Sequence, residues 1–145
     1  MIVIVLDQAE LKAEPLWQKE PIICNGSTIK LVAEVVSQCV ARVPRVEATD
    51  EPVRVSTNWQ DDYARKVEEY AILEIPEYWI IDFRGLGGKQ FIGNPKQPTF
   101  TVCQLINGAY KQQQYRSPDD ITSHLFPNLQ LKLEDIMPHS KGCRG

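Results

Sequence analysis

The sequence predicts a single α/β domain, and three stretches of the chain carry this prediction. Residues 29–37 read as a central strand, because apolar side chains occur on both of its faces. Residues 58–73 show helical spacing, and residues 77–83 form a second strand rich in aromatic and β-branched residues. A strand, a helix and a strand in succession predict parallel strands joined by a right-handed crossover.

Size and composition are those of one compact domain. The 145 residues include 43% hydrophobic and 24% charged residues, which are ordinary fractions for a soluble globular protein. No apolar run approaches the roughly 20 residues that span a bilayer, and residues 1–6 are too short for a signal peptide. We therefore expect a cytoplasmic domain over residues 1–137, without membrane contact, and a tail at residues 138–145.

Charge, cysteines and histidines argue against several kinds of site. The net charge of −3 supplies no general attraction to nucleic acid. The cysteines have no paired spacing, which argues against a disulfide framework or a zinc site; they are Cys24, Cys39, Cys103 and Cys143. We expect surface positions for His124 and His139, which lie in loop-like contexts.

The N-terminal part of the chain predicts three short elements. Residues 2–6 are apolar and β-prone, which predicts a buried strand. Helix formers at residues 9–14 predict one or two helical turns that stop at Pro15. Residues 21–24 are expected to form a brief edge strand before the turn signal at residues 25–26.

Glu34 is the unusual residue of the central strand. Alternation along the strand places it on the same side as Val32 and Val36, among apolar neighbours. A buried ionised carboxylate is costly unless it is paired or bound to a cation. Two interpretations stay open at this point: a strand-end glutamate that reaches water or a lysine, and a metal-binding or catalytic carboxylate.

Residues 38–55 differ from the core segments. Pro44 and Pro52 interrupt them, and their valines are isolated. We expect a surface excursion, such as a loose hairpin, and not a core element.

The next element is a helix that Asn58 caps and that runs to about Leu73. Its inward stripe is formed by residues that recur at helical spacing, namely Tyr63, Val67, Tyr70 and Ala71. Lys66 lies four residues after Asp62 and four before Tyr70, so the three share one side of the helix. By spacing alone, Asp62 and Lys66 read as an ordinary surface ion pair.

The remaining segments predict a turn, a hairpin and a covering tail. Residues 85–88 are expected to form a flexible turn and not a phosphate loop, because no helix is expected after them and no Gly-Lys-Ser/Thr ending is present. Asn107-Gly108 predicts a hairpin between residues 99–105 and 109–115. The tail from Pro118 is expected to cover the domain and to end in a helical turn at residues 134–137.

An acid on a strand followed by a lysine on the next helix suits phosphodiester hydrolysis. Such hydrolysis uses a divalent cation, held by carboxylates, to polarise the phosphate and acidify a water. A positive side chain near the developing negative charge also helps. Two carboxylates are normally expected for a firm magnesium site.

Several segments resemble the Uma-two family of bacterial restriction endonucleases. They are residues 31–37 (LVAEVVS), 61–70 (DDYARKVEEY), 75–82 (IPEYWIID), 91–98 (FIGNPKQP) and 126–129 (FPNL). The resemblance covers nearly the whole chain apart from residues 38–55. It implies the fold of the PD-(D/E)XK nuclease superfamily, a mixed β-sheet flanked by helices with a divalent-metal site.

The resemblance also implies roles for individual residues. Glu34 corresponds to the acid of the (D/E)XK motif and would be the metal ligand. The motif's lysine would fall at Val36, and the family supplies it from the helix, here as Lys66. Asp62 and Tyr70 match helix positions that would orient Lys66. The implied cofactor is Mg²⁺ or Mn²⁺, the implied partner is DNA, and a homodimer is left open.

Two departures from the family pattern lead to an alternative hypothesis about function. The Asp of the family's Pro-Asp pair would fall on Ile2, and the upstream elements of the family are missing, so we expect a core that is incomplete at its N-terminus. Residues 38–56 resemble an insertion. The two hypotheses are therefore a metal-dependent DNA endonuclease and an inactive, truncated relative that acts as a binding or assembly module. An incomplete sheet would present an unpaired edge that favours self-association.

Overall fold

The computed structural model describes residues 2–20, 22–36, 38–40, 55–57 and 60–136. In chain order its elements are β1 (Ile2–Leu6), α1 (Gln8–Ala13), β2 (Ile29–Val35), β3 (Gln38–Val40), β4 (Val55–Thr57), α2 (Lys66–Ile72), β5 (Glu77–Asp82), α3 (Lys89–Ile92), β6 (Thr99–Ile106), β7 (Ala109–Tyr115), β8 (Asp120–Ile121), β9 (Leu131–Lys132) and α4 (Leu133–Ile136). A π-helical turn, Asp61–Arg65, leads directly into α2. Within these ranges, no helix is long and apolar enough to cross a membrane.

Five strands form the main sheet in the order β1-β2-β5-β6-β7. β2 and β5 are parallel, and the other neighbouring pairs are antiparallel. The predicted strand–helix–strand unit with parallel strands is therefore confirmed, and so is the hairpin at Asn107-Gly108, which joins β6 to β7. The register places Glu34 opposite Ile80 on β5 and opposite Ile2 on β1.

The main sheet has a core on each of its faces. We call the face that carries Glu34 the helix face, because α2, the π-helical turn and α3 pack on it. Its buried residues are Val32, Val36, Tyr63, Ile75, Tyr78, Ile80, Ile92 and Cys103. The other face is covered by the tail, and its buried cluster is Phe100, Val102, Ile121 and Leu133. Two-sided covering explains why β2 carries apolar residues on both faces.

β1 is a strand, as predicted, but the prediction that it is buried is wrong. The side chains of Ile2, Val3 and Ile4 are about half exposed, with Ile2 at 57%. β1 lies at the edge of the main sheet and pairs with β2 on one side only, within the described residues. An apolar strand at an edge keeps much of its surface in water.

Two further predictions need correction. Residues 22–24 form no strand, because the backbone N–H groups of Cys24 and Asn25 donate to the Glu14 carboxylate and not to a neighbouring strand. A helix does open after the turn at residues 85–88: α3 begins at Lys89, and its N–H groups bond back to the Gly88 carbonyl.

The boundaries of other elements were predicted in part. The helix on residues 58–73 starts with the π-helical turn and ends at Ile72, while Asn58 lies outside the described residues. β3 and β4 pair antiparallel, which fits the predicted hairpin at its base. Residues 41–54 lie outside the described part of the chain, so the proposed insertion stays a prediction. The tail adds the β8–β9 pair before its helical turn, α4.

Candidate active site

Glu34 lies in the middle of the sheet in an apolar setting. The residue is 1% exposed, and its neighbours along the helix face, Val32 and Val36, are buried as well. Isoleucines stand opposite it on both neighbouring strands. A carboxylate at this depth needs hydrogen-bond donors to remain ionised.

Lys66 reaches Glu34 from the helix that covers the sheet. Its Nζ donates to Glu34 Oε2, and the two side chains form an ion pair. The Lys66 side chain is 24% exposed and the Glu34 side chain 2%, so the pair runs from the surface into the core. Lys66 is the first residue of α2, immediately after the π-helical turn. Such turns are rare and occur often at functional sites.

Two tyrosines complete the surroundings of the carboxylate. The Tyr70 hydroxyl donates to Glu34 Oε1 over 2.8 Å, and the Tyr78 hydroxyl lies 3.4 Å from Oε2. The two rings meet edge to face with centroids 4.9 Å apart. Both carboxylate oxygens therefore have donors, which offsets the unfavourable burial of the charge.

Tyr78 was not singled out from the sequence. In a strand, an aromatic residue reads as core, and Tyr78 is indeed fully buried. The register could have identified it: Tyr78 stands opposite Val32 on β5, on the same face as Glu34 and one pair away from it. Side-chain alternation on the second parallel strand is therefore the signal that points to Tyr78.

Asp82 is a second buried acid on the helix face, but its bonds differ from those of Glu34. It accepts hydrogen bonds of 2.8 Å from the backbone N–H groups of Leu86 and Gly87. The Tyr63 hydroxyl lies 3.4 Å from the same carboxylate. Asp82 thus fixes the turn that follows β5. The sequence does not predict this role, because an aspartate at the end of a strand is common before any turn.

The position where the resemblance places a second acid holds Ile2. Residues directly opposite in an antiparallel pair point to the same face, so Ile2 and Glu34 are neighbours on the helix face. The Asp62 side chain, the other predicted partner of Lys66, lies outside the part of the chain that the structure describes. In that part, no three His, Cys, Asp or Glu residues cluster closely enough to hold a metal ion.

The Glu34 carboxylate is nevertheless a ligand of the kind that Mg²⁺ uses. Mg²⁺ prefers oxygen ligands, keeps several waters, and is commonly bound by one or two carboxylates together with substrate phosphates. Glu34 supplies one such carboxylate, held in place by Lys66, Tyr70 and Tyr78. A cation at Glu34 would therefore have to take its other ligands from water and phosphate.

Two other reactive groups near the core are poorly suited to catalysis. Burial, together with the nearby Glu77 carboxylate, raises the pKa of the Cys103 thiol to about 12, so the thiol stays protonated at neutral pH. Burial also raises the pKa of Tyr110, whose hydroxyl donates to the Ile75 carbonyl over 2.7 Å. His124 is exposed, as predicted, and His139 lies outside the described residues.

Comparison with known families identifies the family to which the chain belongs. Residues 55–134, more than half of the chain, match the Uma2 family model, whose description is "Putative restriction endonuclease". The matched range contains Lys66, Tyr70 and Tyr78 but begins after Glu34, so the place of Glu34 in the site rests on its contacts with those three residues. No curated protein and no solved structure matches the chain. The chain belongs to the Uma2 family, its mixed sheet with helices is a restriction-endonuclease-like α/β fold, and the family suggests a nuclease.

Proposed function

We propose that this chain is a metal-dependent endonuclease that hydrolyses the phosphodiester bonds of DNA. The observation that carries the proposal is the ion pair between Lys66 and the buried Glu34 on the helix face of the sheet. A buried charge pair surrounded by tyrosine hydroxyls contributes little to stability by comparison with apolar packing. Its presence at this point of a nuclease-family fold supports a role in chemistry.

Glu34 would hold the cation, Mg²⁺ or Mn²⁺, through its carboxylate. Such an ion, when bound, polarises the scissile phosphate and acidifies a water. The Tyr70 and Tyr78 hydroxyls keep the two oxygens of Glu34 in a fixed orientation. Preorganised ligands of this kind reduce the reorganisation that binding requires.

Lys66 would act on the reacting phosphate itself. Its side chain is the partly exposed member of the pair, and a DNA phosphate would approach the pair from that side. A positive group there stabilises the negative charge that develops during hydrolysis and helps to orient the attacking water. Asp62 is expected to orient Lys66, and this role stays a prediction.

Calorimetry with Mn²⁺ tests the cation site directly. Wild type is expected to bind one ion, and Glu34→Gln is expected to lose that binding, because the amide keeps the shape of the side chain but removes its charge. Glu77→Gln is the matched control, since Glu77 is an equally buried strand carboxylate on the other face of the sheet. A wild-type protein that binds no ion would contradict the proposal.

One observation favours a second function, that of an inactive binding or assembly module. Ile2 occupies the place beside Glu34 where a second carboxylate would strengthen the site. The variant Ile2→Asp separates the two functions. If Mn²⁺ binding and DNA cleavage appear only in Ile2→Asp, the chain as it stands is the inactive module; if wild type already shows both, it is the enzyme.

A further inference from the structure

The segment between β5 and β6 concentrates positive charge. Residues 83–98, which we call the basic segment, contain Arg84, Lys89 and Lys96 and no acidic residue, although the whole chain carries a net charge of −3. All three side chains are exposed. In the described part of the chain, none of the three takes part in an ion pair. The charge of the basic segment is therefore available to an outside partner.

The basic segment packs against the turn that presents Lys66. The Phe91 ring stacks on the Tyr63 ring, with centroids 5.0 Å apart and an interplanar angle of 11°. Tyr63 belongs to the π-helical turn and precedes Lys66 by three residues. Because Tyr63 also approaches Asp82, the start of the basic segment is tied to the same turn. A polymer that contacts this segment would pass beside the candidate active site.

Side-chain hydrogen bonds hold the basic segment in one conformation. At one end, Asp82 accepts from the Leu86 and Gly87 N–H groups. Further along, Arg116 donates to the Ile92 carbonyl over 2.9 Å, and the Gln114 amide donates to the Phe91 carbonyl. These bonds hold the backbone around Lys89 in place.

A close backbone approach brings the two ends of the basic segment together. A Cβ atom added at Gly85 would lie 3.2 Å from the carbonyl carbon of Gln97, so residues 85 and 97 are in contact. Arg84 and Lys96 are the chain neighbours of these two residues. The basic segment therefore carries a cation next in sequence to each of these two contacting residues and a third, Lys89, at the start of α3.

We propose that the basic segment is the surface that receives the phosphate backbone of double-stranded DNA, with Arg84, Lys89 and Lys96 contacting phosphates next to Glu34 and Lys66. The identity of the ligand rests on the proposed nuclease function. Lysine and arginine bind phosphates and release condensed counterions, so each contact adds to the salt dependence of binding. Since the molecule as a whole repels nucleic acid, a local cluster of this kind supplies the attraction.

Fluorescence anisotropy with a labelled DNA duplex in EDTA, over a range of KCl concentrations, tests the inference without any cleavage. The triple variant Arg84→Gln, Lys89→Gln, Lys96→Gln is expected to bind roughly tenfold or more weakly at low salt, and its log–log salt slope should fall by about 0.9 for each lost contact, or about 2 to 3 in total. The control is Lys12→Gln, Lys19→Gln, Lys111→Gln, which changes the net charge equally at three other exposed lysines. The control should keep the wild-type slope.

Equal slopes for wild type and the triple variant would overturn the inference, and so would an equal loss in the control or a wild type that binds no duplex. Circular dichroism confirms that both variants are folded. The proposed catalytic function is tested independently of the binding surface. A wild type that binds DNA through this segment but cleaves nothing with Mg²⁺ would disprove catalysis and support the binding surface.

Discussion

Buried carboxylates in the described part of the chain differ in the groups that donate to them. Asp82 accepts from backbone N–H groups, and Glu14 accepts from the Cys24 and Asn25 N–H groups and from the Thr28 hydroxyl. Backbone N–H groups supply two donors to each of these acids, so both acids stabilise loops. Glu34 instead accepts from the side chains of Lys66, Tyr70 and Tyr78. Glu34 thus differs from Asp82 and Glu14 in accepting from a lysine and two tyrosines, which fits the role proposed for it.

Because Glu14 stabilises a loop through hydrogen bonds, we predict that the stability of the fold depends on pH. The hydrogen bond from Thr28 is the main cause that lowers the pKa of the Glu14 carboxyl below its usual 4.5, and the two backbone N–H bonds add to it. Because the folded-state pKa is the lower one, the stabilisation is complete above the unfolded pKa and is lost as the pH falls through the folded value. Urea unfolding of wild type and Glu14→Gln from pH 7 to pH 3 measures this. The variant should show a weaker loss of stability below about pH 4.5, and identical pH profiles would contradict the assignment.

The role of a single residue is predictable from the sequence when its type is unusual for its position in a strand or helix. Glu34 stands out because an acid is rare among β-branched residues, and the role of Lys66 follows from the family resemblance, since spacing alone favours a surface ion pair. Tyr78 and Asp82 are ordinary residues for a strand and a strand end. Their bonds depend on how the strand and the following turn face the helix, and a linear pattern does not contain that information.

At the scale of elements, the π-helical turn and the turn after β5 form one unit. Gly87 lies where the two meet: a Cβ atom added there would be 2.9 Å from the Tyr63 ring and 3.1 Å from the Asp82 carboxylate. Real Cβ atoms do not approach other atoms this closely without displacing them. Glycine at position 87 therefore lets Tyr63 and Asp82 pack beside the site.

Gly87→Ala is expected to destabilise the fold by about 1–3 kcal/mol, because the methyl group overpacks a rigid site. Gly108→Ala is a useful comparison, since Gly108 has φ = 81° with open space around it. There the loss should come from backbone conformation alone, about 1 kcal/mol. Denaturant unfolding gives both free energies. The account of Gly87 is wrong if Gly87→Ala shifts neither stability nor the near-ultraviolet signal of the tyrosines.

The order of the elements was predictable because each core strand has a clear pattern. β2, β5 and the β6–β7 hairpin follow from apolar runs and the Asn107-Gly108 turn. The π-helical turn and α3 were not predictable in the same way. Both are single turns whose hydrogen bonds depend on packing against neighbouring segments more than on propensity.

On the scale of the whole molecule, the two edges of the main sheet differ in chemistry. β7 carries lysine and glutamines, whereas β1 is a run of five apolar residues without charge or proline. Edge strands are usually protected by charges, prolines or bulges. The only register shift in the β1–β2 pair lies between Val5 and Leu6, so the exposed residues 2–4 support the expected self-association of this chain, by antiparallel pairing of β1 with its copy.

Ile4→Lys places a charge at the centre of this edge and should shift the protein towards monomer, as measured by sedimentation velocity. Ile72→Lys is the control, because Ile72 is 80% exposed on α2, away from β1. It should leave the association unchanged. A wild type that remains monomeric at high concentration would contradict the predicted pairing.

Cleavage of supercoiled plasmid in Mg²⁺ is the most direct measurement of the function proposed for Glu34 and Lys66. Lys66→Met keeps the length of the side chain but removes its charge, and the nicking rate should fall by about a hundredfold or more. Lys12→Met serves as the control at an exposed lysine. Because Lys66→Met removes the ion-pair partner of a buried carboxylate and can destabilise the fold by about 3–5 kcal/mol, folding is verified at the assay temperature. We predict nicking by wild type and by Lys12→Met that EDTA abolishes, and almost none by folded Lys66→Met; equal rates for wild type and Lys66→Met would contradict the proposed site.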